Sequence, residues 1–254
     1  MTNNIQQEFL DYCTSGDLNK VKELLKDPRI DPSDYDNYAI TLSSQNGHIE
    51  VVKELLKYPR VDPSVINNQA IRYTSMNGHV DVVRELLKDK RVDPSDKNND
   101  SIRRASMYGH IDVVRYLLKD SRVDPSDKDN DSIRRASEYD HIEVVRELLK
   151  DKRVDPSDKG NEAIRRASYN GHTDVVRGLL KDPRVDPSDK DNDSIRMASE
   201  YDHTDVVYEL LKDFRINKQR LLDSDINDEL RKQIHSYLTE VRDKSIDKVL
   251  DTDI

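Results

Sequence analysis

Between Ile111 and Lys119 the apolar side chains Val113, Val114, Leu117 and Leu118 alternate with Asp112, Arg115 and Lys119 at helical spacing, which predicts a short helix with a broad apolar surface. Asp112 in its first turn and Lys119 in its last complement the helix dipole. Just upstream, Ile102 and Ala105 lie three apart and predict a helix over about Ser101 to Tyr108, which Asp100 is placed to cap and Gly109 ends by supplying a positive φ. The paired valines return at Val51, Val82, Val113, Val144, Val175 and Val206, in steps of 31 residues. Helix, tight turn and helix are therefore expected once per step.

The stretch Asp93-Pro94-Ser95-Asp96-Lys97-Asn98-Asn99 carries turn chemistry, because proline holds Asp93 extended and the Asx residues favour turns. Asp31-Pro32, Asp62-Pro63, Asp93-Pro94, Asp124-Pro125, Asp155-Pro156 and Asp186-Pro187 open six such units, from residue 31 to residue 216. A period of roughly 20 to 50 residues marks a solenoid, whose units hide their apolar faces only by stacking. One cooperative array is expected. Where the turn glycine is replaced, the newcomers are Asp140 and Asp202, a residue type that tolerates the left-handed conformation.

A solenoid needs polar outer faces at both ends. Residues 1–30 read as a capping repeat: Leu18, Val21, Leu24 and Leu25 fill the second-helix slots, while Lys20 takes a slot that is valine in every full unit. Asp17 stands where the histidine of later units would be. Residues 217–254 read as a C-terminal helical cap. Asp228 to Arg242 forms an amphipathic helix with Leu230, Ile234, Leu238 and Val241 on one face, Ile246, Val249 and Leu250 make a last short helix, and Asp251 to Ile254 fray.

Composition alone points elsewhere: 34% hydrophobic and 37% charged residues with a net charge of −9 lean toward disorder, and only the periodicity overrules that prior. The acidic balance argues against nucleic acid as a partner, since phosphate neutralisation needs a basic face. A lone cysteine, Cys13, excludes an intramolecular disulfide framework and suits a reducing, intracellular site such as the cytoplasm. No apolar run approaches the roughly 18 residues of a membrane span, and Met1 to Leu10 lacks the pattern of a secretion signal.

The segment Asn77-Gly78-His79-Val80-Asp81-Val82-Val83-Arg84-Glu85-Leu86-Leu87 resembles the central motif of the ankyrin repeat, and the resemblance extends over residues 31 to 216. It implies an all-α solenoid of stacked helix-turn-helix units. Two departures stand out, because the common ankyrin unit has about 33 residues and opens its first helix with Thr-Pro-Leu-His. That opening reads Ser101-Ile102-Arg103-Arg104 or Ala163-Ile164-Arg165-Arg166, and Arg122-Val123-Asp124-Pro125-Ser126 replaces the usual Gly-Ala-Asp tip. Short, proline-stiffened tips are expected in place of regular hairpins. This abbreviated form resembles arrays encoded by giant DNA viruses of amoebae.

Histidines His48, His79, His110, His141, His172 and His203 hold one slot, but neighbouring units of a helical stack sit roughly 8 to 10 Å apart and a metal needs ligands about 2 Å away. Each ring is expected to bond backbone within its own turn, with no metal, cofactor or catalytic group. Arg72, Arg103, Arg134, Arg165 and Arg196 fill a second slot, and Arg104, Arg135 and Arg166 the next, four residues after Asp100, Asp131 and Glu162. Two readings stand: salt-bridged contacts between units, or a basic stripe for an acidic partner. Asp127, Asp129 and Asp131 would largely cancel the stripe's field, which favours the first.

The most variable slots precede each Gly-His turn: Gln45-Asn46, Met76-Asn77, Met107-Tyr108, Glu138-Tyr139, Tyr169-Asn170 and Glu200-Tyr201. The resemblance implies that these face a partner groove, and tyrosine and methionine supply large, adaptable contact area. Lys97, Lys128, Lys159 and Lys190 on the tips would rim that row. The expected function is a noncatalytic scaffold, monomeric, binding a protein partner along its concave face. Alternatives are a ubiquitin-ligase adaptor, since the segment from Ile226 to Leu238 loosely resembles the start of an F-box, and a structural or virion-associated protein.

Overall fold

The computed structural model describes the backbone of residues 2–250 and the side chains of residues 5–242; the expected fraying of residues 251–254 lies outside them. Among the described residues every regular element is a helix. A leading pair, α1 (Thr2–Ser15) and α2 (Leu18–Leu24), precedes α3 (Asp34–Gln45) and α4 (Ile49–Leu55), α5 (Val65–Met76) and α6 (Val80–Leu86), α7 (Asp96–Met107) and α8 (Ile111–Leu117). Then follow α9 (Asp127–Glu138) and α10 (Ile142–Leu148), α11 (Asp158–Tyr169) and α12 (Thr173–Leu179), α13 (Asp189–Glu200) and α14 (Thr204–Lys212). The chain ends in α15 (Lys218–Leu222) and α16 (Asp228–Leu250).

Contacts divide the chain into two compact units, residues 1–132 and 133–254. In the N-terminal unit α1, α3, α5 and α7 stack in succession as one layer, and α2, α4, α6 and α8 as a second. Each first helix also packs on the second helix of its own repeat. In the C-terminal unit α11 stacks on α13, α10 on α12 and α12 on α14, while α16 packs on both α13 and α14. The core is the periodic apolar set: Ile102, Ala105, Val113, Val114, Leu117 and Val123 are fully buried, and so are Ile164, Ala167, Val175, Val176 and Leu179. Burying a side chain of this size contributes about 1.5–3 kcal/mol, so each repeat adds its share only when a neighbour covers it.

The tips depart from expectation. In α3, α5, α7, α9, α11 and α13 the first turn holds three consecutive residues in the left-handed region, as at Lys97, Asn98 and Asn99 with φ of 53, 57 and 56°. The left-handed turn is closed by the Asn99 N–H donating to Ser95 O at 2.8 Å, and the right-handed helix follows it. Asp100 was placed to cap that helix, but its carboxylate is taken by Arg72, Arg103 and Arg104 instead. Ahead of the turn, Asp93 Oδ1 accepts from both the N–H and the hydroxyl of Ser95, at 2.9 and 2.7 Å, around the intervening proline.

At the chain's start Asp17 caps α2, accepting from Lys20 N at 3.1 Å, and Lys20 is exposed in the slot that valine fills elsewhere. At the other end α15, which the apolar pattern did not predict, is a five-residue helix capped by Asn217. Leu230 and Ile234 of α16 are buried, whereas Leu238 and Val241 are 40% and 44% exposed, because the helix runs past the body it packs on. No separate last helix forms around Ile246; α16 continues unbroken to Leu250.

Candidate interaction face

The first helices end at tight turns that the next repeat holds in place. Gly78 has a φ of 80°, and a Cβ added there would meet His110 Nδ1 at 2.5 Å. His110 fills the space that the glycine leaves, and its Nε2 donates to Met76 O at 2.8 Å. His172 donates likewise to Glu138 O and His203 to Tyr169 O, both at 2.9 Å. A carbonyl can only accept, so these rings carry their proton on Nε2. The histidine therefore reaches back to the preceding repeat, not into its own turn, because that turn's open face lies over the glycine one repeat earlier. Asp140, standing in a glycine slot with φ 62°, sets its carboxylate 3.8 Å from His172 Nδ1. Among the described residues no group of three metal-ligating side chains occurs.

The arginine ladders pair across repeats. Arg72 Nη1 lies 3.0 Å from Asp100, Arg103 Nη1 2.9 Å from Asp131, Arg134 Nη1 2.8 Å from Glu162 and Arg165 Nη1 3.0 Å from Asp193. Within a repeat, Arg104 Nε donates to Asp100 at 2.6 Å and Arg166 Nη2 to Glu162 at 2.6 Å. The Asp100 carboxyl is held below the usual carboxylate range, for although burial acts to raise it, Arg104 and Arg72 more than offset that. These guanidinium groups are spent on acids of the array, which removes the basic stripe.

Two further ladders escaped the sequence reading. Asn99, buried at the end of the left-handed turn, accepts the Asp124 N–H on Oδ1 at 2.7 Å and donates from Nδ2 to Asp127 at 2.9 Å, both in the next repeat. Asn68 and Asn161 repeat the arrangement. Beyond α6, α8, α12 and α14 an Asp clasps the arginine two residues on, and the arginine reaches a carbonyl of the previous repeat: Arg122 holds Asp120 and donates to Val92 O at 2.9 Å. The 31-residue step of Asn37, Asn68, Asn99, Asn130, Asn161 and Asn192 was the available signal.

Against that scaffold the expected contact residues separate. Tyr108 in the N-terminal unit is 48% exposed, and Tyr139, Tyr169 and Tyr201 in the C-terminal unit are 45, 44 and 46% exposed. The Tyr169 and Tyr201 rings meet edge to face with centroids 4.5 Å apart. Asn77, Asn170 and Glu200 are exposed and Met107 is half-buried. Met76 and Glu138 are drawn into the ladders: Met76 Sδ lies 3.1 Å from Arg104 Nη1, and Glu138 pairs with Arg166. Lys97, Lys128, Lys159 and Lys190 are all exposed, each at the first left-handed position of its tip. The lysines and tyrosines thus lie at opposite ends of the first helices, separated by a right-handed stretch of about 12 Å.

Beside Tyr169, a cavity of about 240 Å³ is lined by Glu138, Arg166, Asn170, Asp193 and Met197. A second, of about 400 Å³, lies among Asp193, Arg196, Met197, Glu200, Ile226 and Leu230. No described helix is long and apolar enough to cross a membrane.

No curated protein matches the chain. The sequence model for ankyrin repeats in three copies matches residues 9–98, 60–129, 103–191 and 133–220. With paired helices stacked in two layers, a glycine-histidine turn in most repeats and family matches over most of its length, the chain belongs to the ankyrin-repeat family.

Proposed function

We propose that the chain is a noncatalytic scaffold that holds a protein partner against the exposed ends of its first helices. Ankyrin-repeat proteins generally serve protein–protein interaction and are typically non-catalytic. The observation that carries the reading to this surface is the exposure of Tyr139, Tyr169 and Tyr201, each nearly half open to solvent. Exposed aromatics held on a rigid backbone give contact area at little entropic cost, the property that makes tyrosine common in interfaces. The same slots hold Met76, Asn77, Met107 and Tyr108 in the N-terminal unit and Glu138, Asn170 and Glu200 in the C-terminal unit, and Lys97, Lys128, Lys159 and Lys190 add charge at the far ends of the first helices. A single buried cysteine, Cys13, supports an intracellular site of action. The abbreviated Asp-Pro-Ser repeat supports a place among viral arrays acting in the host cytoplasm.

Proximity labelling in the host cell tests the surface. The wild type and a Tyr139/Tyr169/Tyr201 alanine variant are compared at equal expression, and the variant is expected to lose a discrete set of labelled proteins. Identical sets from both would remove the surface. An F-box-type adaptor role draws less support: Leu230 and Ile234, the apolar residues of that segment, are buried within the C-terminal unit and belong to its packing.

A further inference from the structure

The arginine ladder stops one rung short, and the empty rung is a cavity. In the third and fifth full repeats, Arg104 and Arg166 bind the carboxylate four residues earlier and reach back to Met76 and Glu138 of the preceding repeat. In the sixth the corresponding residue is Met197, whose thioether can do neither. Its carboxylate four residues earlier, Asp193, makes one ion pair among the described residues, to Arg165, where Asp100 makes three. Glu200, two repeats after Glu138 in the same slot, lines the larger cavity beside Asp193 and Arg196 and forms no ion pair among the described residues. Cavities of about 240 and 400 Å³ flank Met197, and Asp193 lines both.

We propose that the larger of these cavities takes the arginine side chain of a basic partner segment, its guanidinium paired with Asp193 and Glu200, which both line it. The inference rests on the scaffold reading above and gives the partner its chemistry. The array shows part of the fit, since Arg104 and Arg166 seat a guanidinium against Asp100 and Glu162, the acids whose slot Asp193 holds in the sixth repeat. Met197, Ile226 and Leu230 provide an apolar wall for the methylene stem, and a planar fork binds carboxylates better than an ammonium does. Adjacent arginines are tolerated in this ladder because a carboxylate lies between them, as Glu162 lies between Arg134 and Arg166. The net charge of −9 favours a basic partner at long range.

The chain has four methionines, so methyl-labelled methionine gives a sparse NMR spectrum in which Met76 and Met107 serve as internal references for Met197. The probe is the blocked peptide acetyl-Gly-Leu-Arg-Leu-Gly-amide, with a citrulline analogue as the uncharged control. The arginine peptide is expected to shift Met197 saturably, while the citrulline peptide binds about ten-fold more weakly, the loss of one charged hydrogen-bonded contact. Asp193→Asn and, on the exposed side, Glu200→Gln each weaken binding, and Met197→Arg, which fills the gap from within, abolishes it. An unmoved Met197, equal binding of the citrulline peptide, or indifference to both Asp193→Asn and Glu200→Gln overturns the proposal. Glu200→Gln keeps the test decisive should Asp193→Asn fail to fold. An unmoved Met197 beside partner loss in the tyrosine variant overturns the arginine site alone, whereas a responsive Met197 beside an unchanged partner set supports it and removes the tyrosine surface.

Discussion

Asn99 receives the backbone N–H of Asp124 on its side-chain oxygen at 2.7 Å, and through this bond one tip fixes the next. The left-handed triplet that ends at Asn99 strains the backbone by about 1–2 kcal/mol for each residue other than glycine. Its persistence from repeat to repeat follows from what the asparagine gains across the junction, an acceptor bond to Asp124 and a donor bond to Asp127.

Replacing Asn99 by alanine leaves the Asp124 N–H half-buried without its acceptor, and about 1–3 kcal/mol of stability is expected to be lost. Asn99→Asp keeps the acceptor but turns a carboxylate on Asp127, and should lose at least as much at neutral pH. Urea unfolding followed by circular dichroism measures both. A loss within error of zero for Asn99→Ala would mean that the ladder is decorative.

Gly78 and His110 are expected to be coupled. Gly78→Ala strains a φ of 80° and drives a Cβ into the His110 ring. The alanine should destabilise by more than about 1 kcal/mol in the wild type and by distinctly less in a His110→Ala background, which a double-mutant cycle reads as an interaction energy. Additive losses would show that the ring does not occupy the glycine's open face.

Acid should loosen the array through its Asp-Arg clasps. The Arg29 guanidinium holds the Asp27 carboxyl at about 2, and Arg91, Arg122, Arg153, Arg184 and Arg215 hold Asp89, Asp120, Asp151, Asp182 and Asp213 below the usual range. Depressed in the folded state, these groups contribute stability that is complete above the unfolded value of about 3.9 and lost as pH falls through the folded ones. Burial also depresses His79, which adds a decline that begins below about pH 6.5. Thermal midpoints measured from pH 7 to 2 should fall most steeply below about pH 4. Midpoints that rise on acidification would contradict the clasps.

Cys13 reports on opening of the N-terminal unit. Its thiol is fully buried, and burial pushes it up to about 12. Modification by a thiol reagent at pH 8 should be roughly a thousand-fold slower in the native chain than in urea, because the thiolate forms only after the surrounding helices open. Labelling at comparable rates would place Cys13 outside a stable core.

The array, the two helices of each repeat and the exposed tyrosines were legible because apolar period and turn glycine speak for themselves over 31-residue steps. The left-handed triplets were not. Ile66 and Lys97 are poor residues for that conformation, and the bonds that hold the triplets run outside them: Asn68 and Asn99 to the following repeat, and Arg72 and Arg103 to the carbonyls of Asn67 and Asn98. The asparagine column was visible as a repeat yet read as generic turn chemistry, since a local Asx turn and a junction-spanning bond leave the same letter in the sequence. Met76 and Glu138 illustrate the same limit: their slot is variable, but Arg104 and Arg166 reach them from the next repeat, a distance no local pattern encodes.

Site-specific photo-crosslinking in living cells tests the proposed partner surface most directly. A benzophenone side chain is placed at Tyr169, at the exposed end of a first helix, or at Arg146, exposed on a second helix. A discrete protein adduct from position 169 and none from position 146 is the expected result. An adduct from position 146 with none from position 169 would place the partner on the other layer of helices and contradict the tyrosine surface.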